Sequence, residues 1–333
     1  MENYRIIRPK PKKTFAEALE SVVRQLDFFL KEESGEGRCP VYIRFYLSDA
    51  QNQAAALKYK LASVSFSGQV SIVEQPPLDG SRIAALVRTS DETERYLFHS
   101  LRLTEEEAAG KDSYTQTRLL FGKYLDIIRP IGLELKTHCI RTWIYVRDID
   151  SNYAGVVKAR NDVFAEEGLS HDTHYIASTG IGGASEVRSA VVAMDFLTEP
   201  GICEADKTYL KALSHLSPTH DYGVAFERGV MLSEGGVVPT GIPSATGKGP
   251  VCVPQGDAST GIACPQDLSV AGQELQGVPY FVVYLRDISD YSKVDAYMER
   301  RFPGVPRIIL EARVCRPGWL IEMECEVPFP KTA

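Results

Sequence analysis

One apolar run, closed each time by the same acid, occurs three times in this chain of 333 residues. The first copy reads Val41-Tyr42-Ile43-Arg44-Phe45-Tyr46-Leu47-Ser48-Asp49. The second reads Arg141-Thr142-Trp143-Ile144-Tyr145-Val146-Arg147-Asp148, and the third Tyr280-Phe281-Val282-Val283-Tyr284-Leu285-Arg286-Asp287. β-Branched and aromatic residues at this density suit buried strands. The closing Asp suits the N-cap of a following helix. Apolar positions at helical spacing do follow, over residues 50–60, 153–167 and 290–301. Val294, Tyr297, Met298 and Phe302 form one such stripe. A further strand is predicted after each helix: Val70–Val73, Tyr175–Ser178 and Arg307–Val314. A chain that repeats one supersecondary unit folds as copies of that unit.

Two copies carry a long amphipathic helix ahead of the strand, over about 14–32 and 114–128, the second stopping near Pro130. Extra strands are expected at Arg95–Leu101 and Val224–Leu232. The C-terminus reads as a hairpin of Ile308–Val314 and Leu320–Val327 around Arg316-Pro317-Gly318. Each unit is then α+β, with helices packed on one face of a mixed sheet. The expected units are 1–90, 91–200 and 201–333. In the third unit, residues 234–277 are rich in Gly, Pro, Ser and Thr and hold no long helix; only Leu268–Leu275 could form a short one. That stretch is either a long functional loop or local damage to the unit.

A net charge of -7 argues against nucleic acid as a partner, because phosphate binding needs a basic face. The start is locally basic (Arg5, Arg8, Lys10, Lys12, Lys13) and reads as a solvated arm. No apolar run follows it, so it does not read as a signal peptide. No run approaches the length of a membrane-spanning helix, so no membrane partner is expected. The seven cysteines are scattered and never form a C-x-x-C pair. That pattern suits a reduced, cytoplasmic protein without a disulfide or zinc framework. Cys139 and Cys325 read as small core residues. His171 and His174 lack acidic or cysteine ligands in register, so no metal and no cofactor is expected.

The order helix, Phe281 to Asp287, helix, Pro306-Arg307, then Ile321-Glu322-Met323-Glu324 resembles the second half of a RidA/YjgF (reactive-intermediate deaminase) unit. The likeness is strongest over 280–327, weaker over about 95–198, and one of pattern only over about 14–90. In that superfamily, which carries older names of translation inhibitor and endoribonuclease, three identical chains form a barrel-like trimer with ligand sites between subunits. Three units in one chain imply an intrachain pseudo-trimer, as a monomer or a higher homo-oligomer. The stretch Ser178-Thr179-Gly180-Ile181-Gly182-Gly183 and the ending Cys315-Arg316-Pro317-Gly318-Trp319-Leu320-Ile321-Glu322-Met323-Glu324 are similar to the chorismatase branch. Its members hydrolyse chorismate to pyruvate and a cyclic carboxylic acid.

The resemblance implies a small carboxylated metabolite as ligand. It puts the carboxylate-gripping arginine at Arg307 and the proton-moving glutamate at Glu322. It puts the aromatic of the deaminase site at Phe226, where the usual hydroxyl is missing, and a helix Asn at Asp295. Position 309, often Cys in the family, is Ile309. Three functional readings follow: an imine or enamine deaminase, a chorismatase-like hydrolase, and a non-catalytic binder with a drifted site.

The residues themselves fit such chemistry. Arginine grips carboxylates with two parallel hydrogen bonds. Glu322 and Glu324 are two apart on an apolar strand and so share a face. A carboxyl among apolar groups has its pKa raised and can act as general acid or base. The alternative for Glu324 is an acidic face in water. Arg141 either pairs with a nearby acid or gives a second carboxylate contact, and the Thr179–Gly183 turn could present N–H groups to an anion. Cys315 has no histidine placed to activate it and reads as inert.

Overall fold

The structure, a computed structural model, describes residues 1–9, 14–92, 94–210, 223–233, 236–239, 242–245 and 278–328. Most of 234–277, the Leu268–Leu275 stretch, Lys10, Lys12, Lys13, Cys252 and Cys264 lie outside the described residues.

The first sheet takes β1 (Glu2–Ile7), β2 (Cys39–Leu47), β3 (Gln69–Glu74) and β4 (Ile83–Ser90), with helices α1 (Phe15–Gly35) and α2 (Ala50–Leu61). The second takes β5 (Leu97–Leu101), β6 (Cys139–Val146), β7 (Ala177–Gly182) and β8 (Val192–Thr198). Its helices are the single turn α3 (Glu105–Ala108), α4 (Ser113–Ile128), the single turn α5 (Leu135–His138) and α6 (Ile149–Glu166). Three short strands follow, β9 (Lys207–Tyr209), β10 (Gly229–Leu232) and β11 (Gly236–Pro239), in a sheet of their own. The last sheet takes β12 (Ile242–Ala245), β13 (Phe281–Leu285), β14 (Arg307–Glu311) and β15 (Trp319–Glu324), with α7 (Tyr291–Arg301).

The three larger sheets share one topology: β1-β4-β2-β3, β5-β8-β6-β7 and β12-β15-β13-β14. Each first strand runs antiparallel to the fourth, the fourth antiparallel to the second, and the second parallel to the third. Backbone bridges join each pair of sheets: Glu74 to Ala184, Pro77 to Leu310, and Ile181 to Val314. The α+β, repeated-unit reading therefore holds.

Period-2 alternation sorts side chains between two kinds of core. Ile43, Phe45 and Leu47 pack outward under α1 and α2, while Tyr42 and Tyr46 enter a central cluster. Ile144 and Val146 pack under α4 and α6, while Trp143 and Tyr145 point to the centre. Phe281, Val283 and Leu285 pack against α7, while Val282 and Tyr284 point to the centre. Each of the three larger sheets thus has one helix-covered aliphatic face and one face turned to a shared core rich in Tyr, Trp and Arg.

Some expectations need correction. The basic start is not a solvated arm: Glu2–Ile7 pairs with β4, and Arg8 bonds to Asp79 at 3.1 Å. Ile308–Val314 and Leu320–Val327 are not hairpin partners, because β13 lies between β14 and β15. Part of Val224–Leu232 is a strand, β10, yet it belongs to the small separate sheet; β12 is the first strand of the last unit. Thr179–Gly183 is no turn. Most of it is β7, with the Gly182 N–H donated to the Arg313 carbonyl and the Gly183 N–H to Val146. Asp49 caps α2 as expected, whereas Asp148 sits at φ 46° and makes no side-chain cap. Among the described residues no helix is long and apolar enough to cross a membrane.

Candidate active site

The inner faces carry two polar clusters built to one plan. Strand register makes Arg44, Trp143 and Val282 equivalent, since they oppose Leu86, Asp195 and Glu324. It likewise makes Ser71, Thr179 and Ile308 equivalent on the third strands. Between the first two sheets, Asp195 accepts from Ser71 at 2.6 Å, Tyr145 at 3.1 Å, Arg102 at 3.0 Å and Arg44 at 3.3 Å. Between the second and last, Glu324 accepts from Thr179 at 2.9 Å, Tyr284 at 2.8 Å, Trp143 at 3.1 Å and Arg141 at 2.6 Å. The third junction has Leu86 and Ile308 at those places. Burial alone would raise the Asp195 carboxyl, but Arg102, Arg44 and Ser71 beside it hold it below the usual range.

The second cluster has what the first lacks, a carboxyl one step further along. Glu322 opposes Tyr284, where the other sheets have Ala84 opposing Tyr46 and Ala193 opposing Tyr145. Glu322 is buried, only 4% exposed, and hydrogen-bonds to no described side chain. Burial first, then the charge of Glu324, pushes its pKa up to about 8, against the pull of Arg141 and Arg228. It is therefore a neutral acid at pH 7 with a proton to give. Both acids share the inner face as expected, and neither lies in water. A third acid on that face, Glu326, is also buried and accepts from Tyr42 and Arg88.

Around Glu322 stand groups the sequence reading passed over. Tyr153 and Arg160 lie seven apart on α6, two turns along one face. Both acquire their surroundings from the last unit: the Tyr153 hydroxyl and the Cys315 thiol are hydrogen-bonded, and both feel the charge of Glu322. Burial pushes the Cys315 thiol up to about 12, which removes it as a nucleophile at neutral pH. Gly180 on β7 makes room for the Tyr153 side chain, since a Cβ there would meet a ring carbon at 3.0 Å and the hydroxyl oxygen at 3.1 Å. Arg160 is buried, with Nε and Nη2 unpartnered among the described residues, and lies over the Phe226 ring at 5.7 Å. Arg228 covers the same ring at 5.4 Å. Arg141 also keeps Nε and Nη1 unpartnered. Buried guanidinium donors without acceptors are costly unless a ligand supplies the acceptors. A cavity of about 640 Å³, lined by Tyr153, Val157, Asn161, Val224, Cys315 and Arg316 among others, opens over this place.

The expected site residues thus divide. Arg141, Thr179 and Glu324 meet in one cluster, with Glu322 beside it and Phe226 between two arginines. Arg307 and Asp295 do not join them. Arg307 bonds to Asp295 at 2.9 Å and Glu299 at 2.9 Å on α7. The reason is alternation: Arg307 shares the face of Ile309, which packs under α7, whereas Glu322 lies on the inner face. Only one junction carries the full set. At the places of Tyr153 and Arg160, counted from the closing Asp, α2 has Ala54 and Leu61 and the last copy has Ser292 and Glu299. His174 meets Glu204 at 3.2 Å and stacks on Tyr209, and no metal-holding group occurs among the described residues.

Fold and site together define a class: a three-unit α+β chain with a protonated acid and buried arginines at one unit junction. Among solved structures, a chorismatase matches over 98% of this chain and 98% of its own, with a TM-score of 0.63 and 18% identity. The chain therefore has the chorismatase fold. A YjgF-family protein from Neisseria meningitidis aligns with 38% of this chain and 98% of its own, at a TM-score of 0.30 and 20% identity. RidA from an Antarctic Psychrobacter aligns with 37% of this chain and 99% of its own, at 0.29 and 15%. No family model and no curated protein matches the sequence.

Proposed function

We propose that the chain is a hydrolase of a small dicarboxylate enol ether, with chorismate as the candidate substrate and Glu322 as general acid. The observation that carries this reading is a buried, protonated carboxyl facing several arginines. A neutral acid can protonate an electron-rich carbon, and arginines with spare donors can hold two carboxylates. The chorismatase fold over the whole chain supports the same substrate. Arg160 and Arg141 bind the carboxylates, and the Phe226 ring keeps the Arg160 guanidinium above it in place.

In the reaction, the Glu322 proton passes to the methylene carbon of the enol ether and leaves an oxocarbenium ion. Water adds to the ether carbon and returns a proton to the Glu322 carboxylate. The hemiketal then breaks to pyruvate and the ring alcohol. Imine deamination is supported less well, since Phe226 has no hydroxyl and Arg307 is held by Asp295 and Glu299. The test is turnover of chorismate in ¹⁸O-water. The ring product is expected to keep its original oxygen. Label in the ring hydroxyl would place attack on the ring and overturn the proton-first mechanism.

A further inference from the structure

Glu324 accepts four side-chain hydrogen bonds in the shared core, as many as Asp195. Oε2 accepts from Arg141 Nη2 and the Thr179 hydroxyl; Oε1 accepts from Trp143 Nε1 and the Tyr284 hydroxyl. Arg and Trp nitrogens can only donate. Each oxygen thus meets one group that can only donate, Arg141 at Oε2 and Trp143 at Oε1, an arrangement that suits a carboxylate. Arg44 adds a second cationic group at 3.9 Å. Asp195, its counterpart at the neighbouring junction, is held in the same manner but has Ala193 beside it in place of an acid.

We propose that Glu324 is a positioning residue for the reaction: a fixed negative charge, pinned by four donors from β6, β7 and β13, that keeps the proton on Glu322 until substrate takes it. This rests on the reading of Glu322 as general acid. Among the described residues, the groups beside Glu322 are Glu324 on its own strand, Arg141 on β6, Arg228 beside β7, Tyr153 on α6, Tyr284 on β13, and Cys315, with Arg160 next to Tyr153 and Cys315. Of these, Glu324 is the arginine-paired carboxyl buried with Glu322 in low dielectric, where a like charge acts most strongly. Arg141 and Arg228 oppose it, and its influence on Glu322 is larger than that of either one.

The test reads Glu322 directly and needs no turnover. In protein carrying ¹³C-carboxyl glutamate, the Glu322 resonance is the one missing from Glu322→Gln. Its titration midpoint is expected to fall by about one pH unit or more in Glu324→Gln, and to stay near the wild-type value in Glu324→Asp, which keeps the charge. An unchanged midpoint in Glu324→Gln, or an equal fall in both variants, overturns the proposal. If the Gln chain does not fold, the double variant Arg141→Met, Glu324→Gln removes both halves of the buried pair, a change proteins often tolerate. Its midpoint must still lie below wild type; a midpoint at or above it overturns the proposal. Failure here leaves the general-acid reading standing, because that reading is tested separately, by the activity of Glu322→Gln and the pH dependence of wild-type turnover.

Discussion

Arg141 Nη2 lies 2.6 Å from Glu324 Oε2 although the two residues are 183 positions apart, and this contact fastens the second unit to the last at the level of the candidate site. Both residues are buried. The Arg44–Asp195 contact is its counterpart between the first two units, at 3.3 Å. The two pairs hold the three sheets around one polar centre, and only the first has a proton-bearing neighbour.

Asp195→Ala removes one half of a buried pair and strands Arg44 and Arg102. Stability is expected to drop by about 3–5 kcal/mol, read as a lower denaturation midpoint. Chorismate turnover by the folded fraction should stay within a few-fold of wild type. A drop below ~1 kcal/mol would show that the cluster does not hold the sheets together.

Glu322 makes stability depend on pH in a direction opposite to a salt-bridged acid. Its folded pKa, about 8, lies above the ordinary carboxyl value of 4.5. Below pH 4.5 both folded and unfolded chains hold the proton, and nothing is lost. From there to about pH 8 the folded chain binds more protons than the unfolded one, so stability falls as pH rises. Glu322→Gln carries no such penalty. At pH 8 it should be more stable than wild type by roughly 4 kcal/mol, on the usual free energy per pKa unit, with the gap closing towards pH 4. Parallel curves for the two proteins would contradict a buried, proton-bearing Glu322.

Gly180→Ala tests the seat of Tyr153. The new Cβ would stand 3.0 Å from the ring, and β7 is too well tied to its neighbours to retreat. The ring must move and its bond to Cys315 is lost. A stability cost of about 1–3 kcal/mol is expected, together with a fall in kcat of tenfold or more. Wild-type kcat would show that Tyr153 placement does not matter.

Arg160→Met and Arg307→Ala separate the two arginine roles. The Met variant should raise KM for chorismate by a factor of roughly 10–100, as loss of a charge-assisted contact implies. Arg307→Ala should leave kcat/KM within about twofold and cost no more than ~1 kcal/mol, since its partners Asp295 and Glu299 are largely exposed. The reverse pattern would return the carboxylate grip to Arg307.

Much of the architecture was readable because it is written in short periods. The three strand runs, the helices after them and the shared face of Glu322 and Glu324 all come from spacings of two and about 3.6. The same alternation, applied to Arg307 with Ile309, would have turned Arg307 away from Glu322; the Pro306-Arg307 likeness outweighed it. Arg160 and Tyr153 left a fainter signal, a seven-residue spacing on a helix whose inward positions include Val156 and Val163. An arginine in such a stripe is either snorkelling or held for a ligand, and only the fold shows that it is buried. Phe226 and Arg228 could not be joined to Arg160 by any local rule, because pairing of residue 227 beside β7 brings them there. The strand at Glu2–Ile7 was hidden by its flanking charges, which edge strands commonly carry.

The most direct test of the central claim is pyruvate release from chorismate by the purified chain and by Glu322→Gln, followed from pH 5 to 10. Wild type should release pyruvate, with kcat falling as pH rises through about 8 and Glu322 loses its proton. The Gln variant, folded and at least as stable, should lose turnover by a factor of about 10³ or more. Release that persists in Glu322→Gln, or a wild-type rate indifferent to pH across that range, would contradict Glu322 as the general acid.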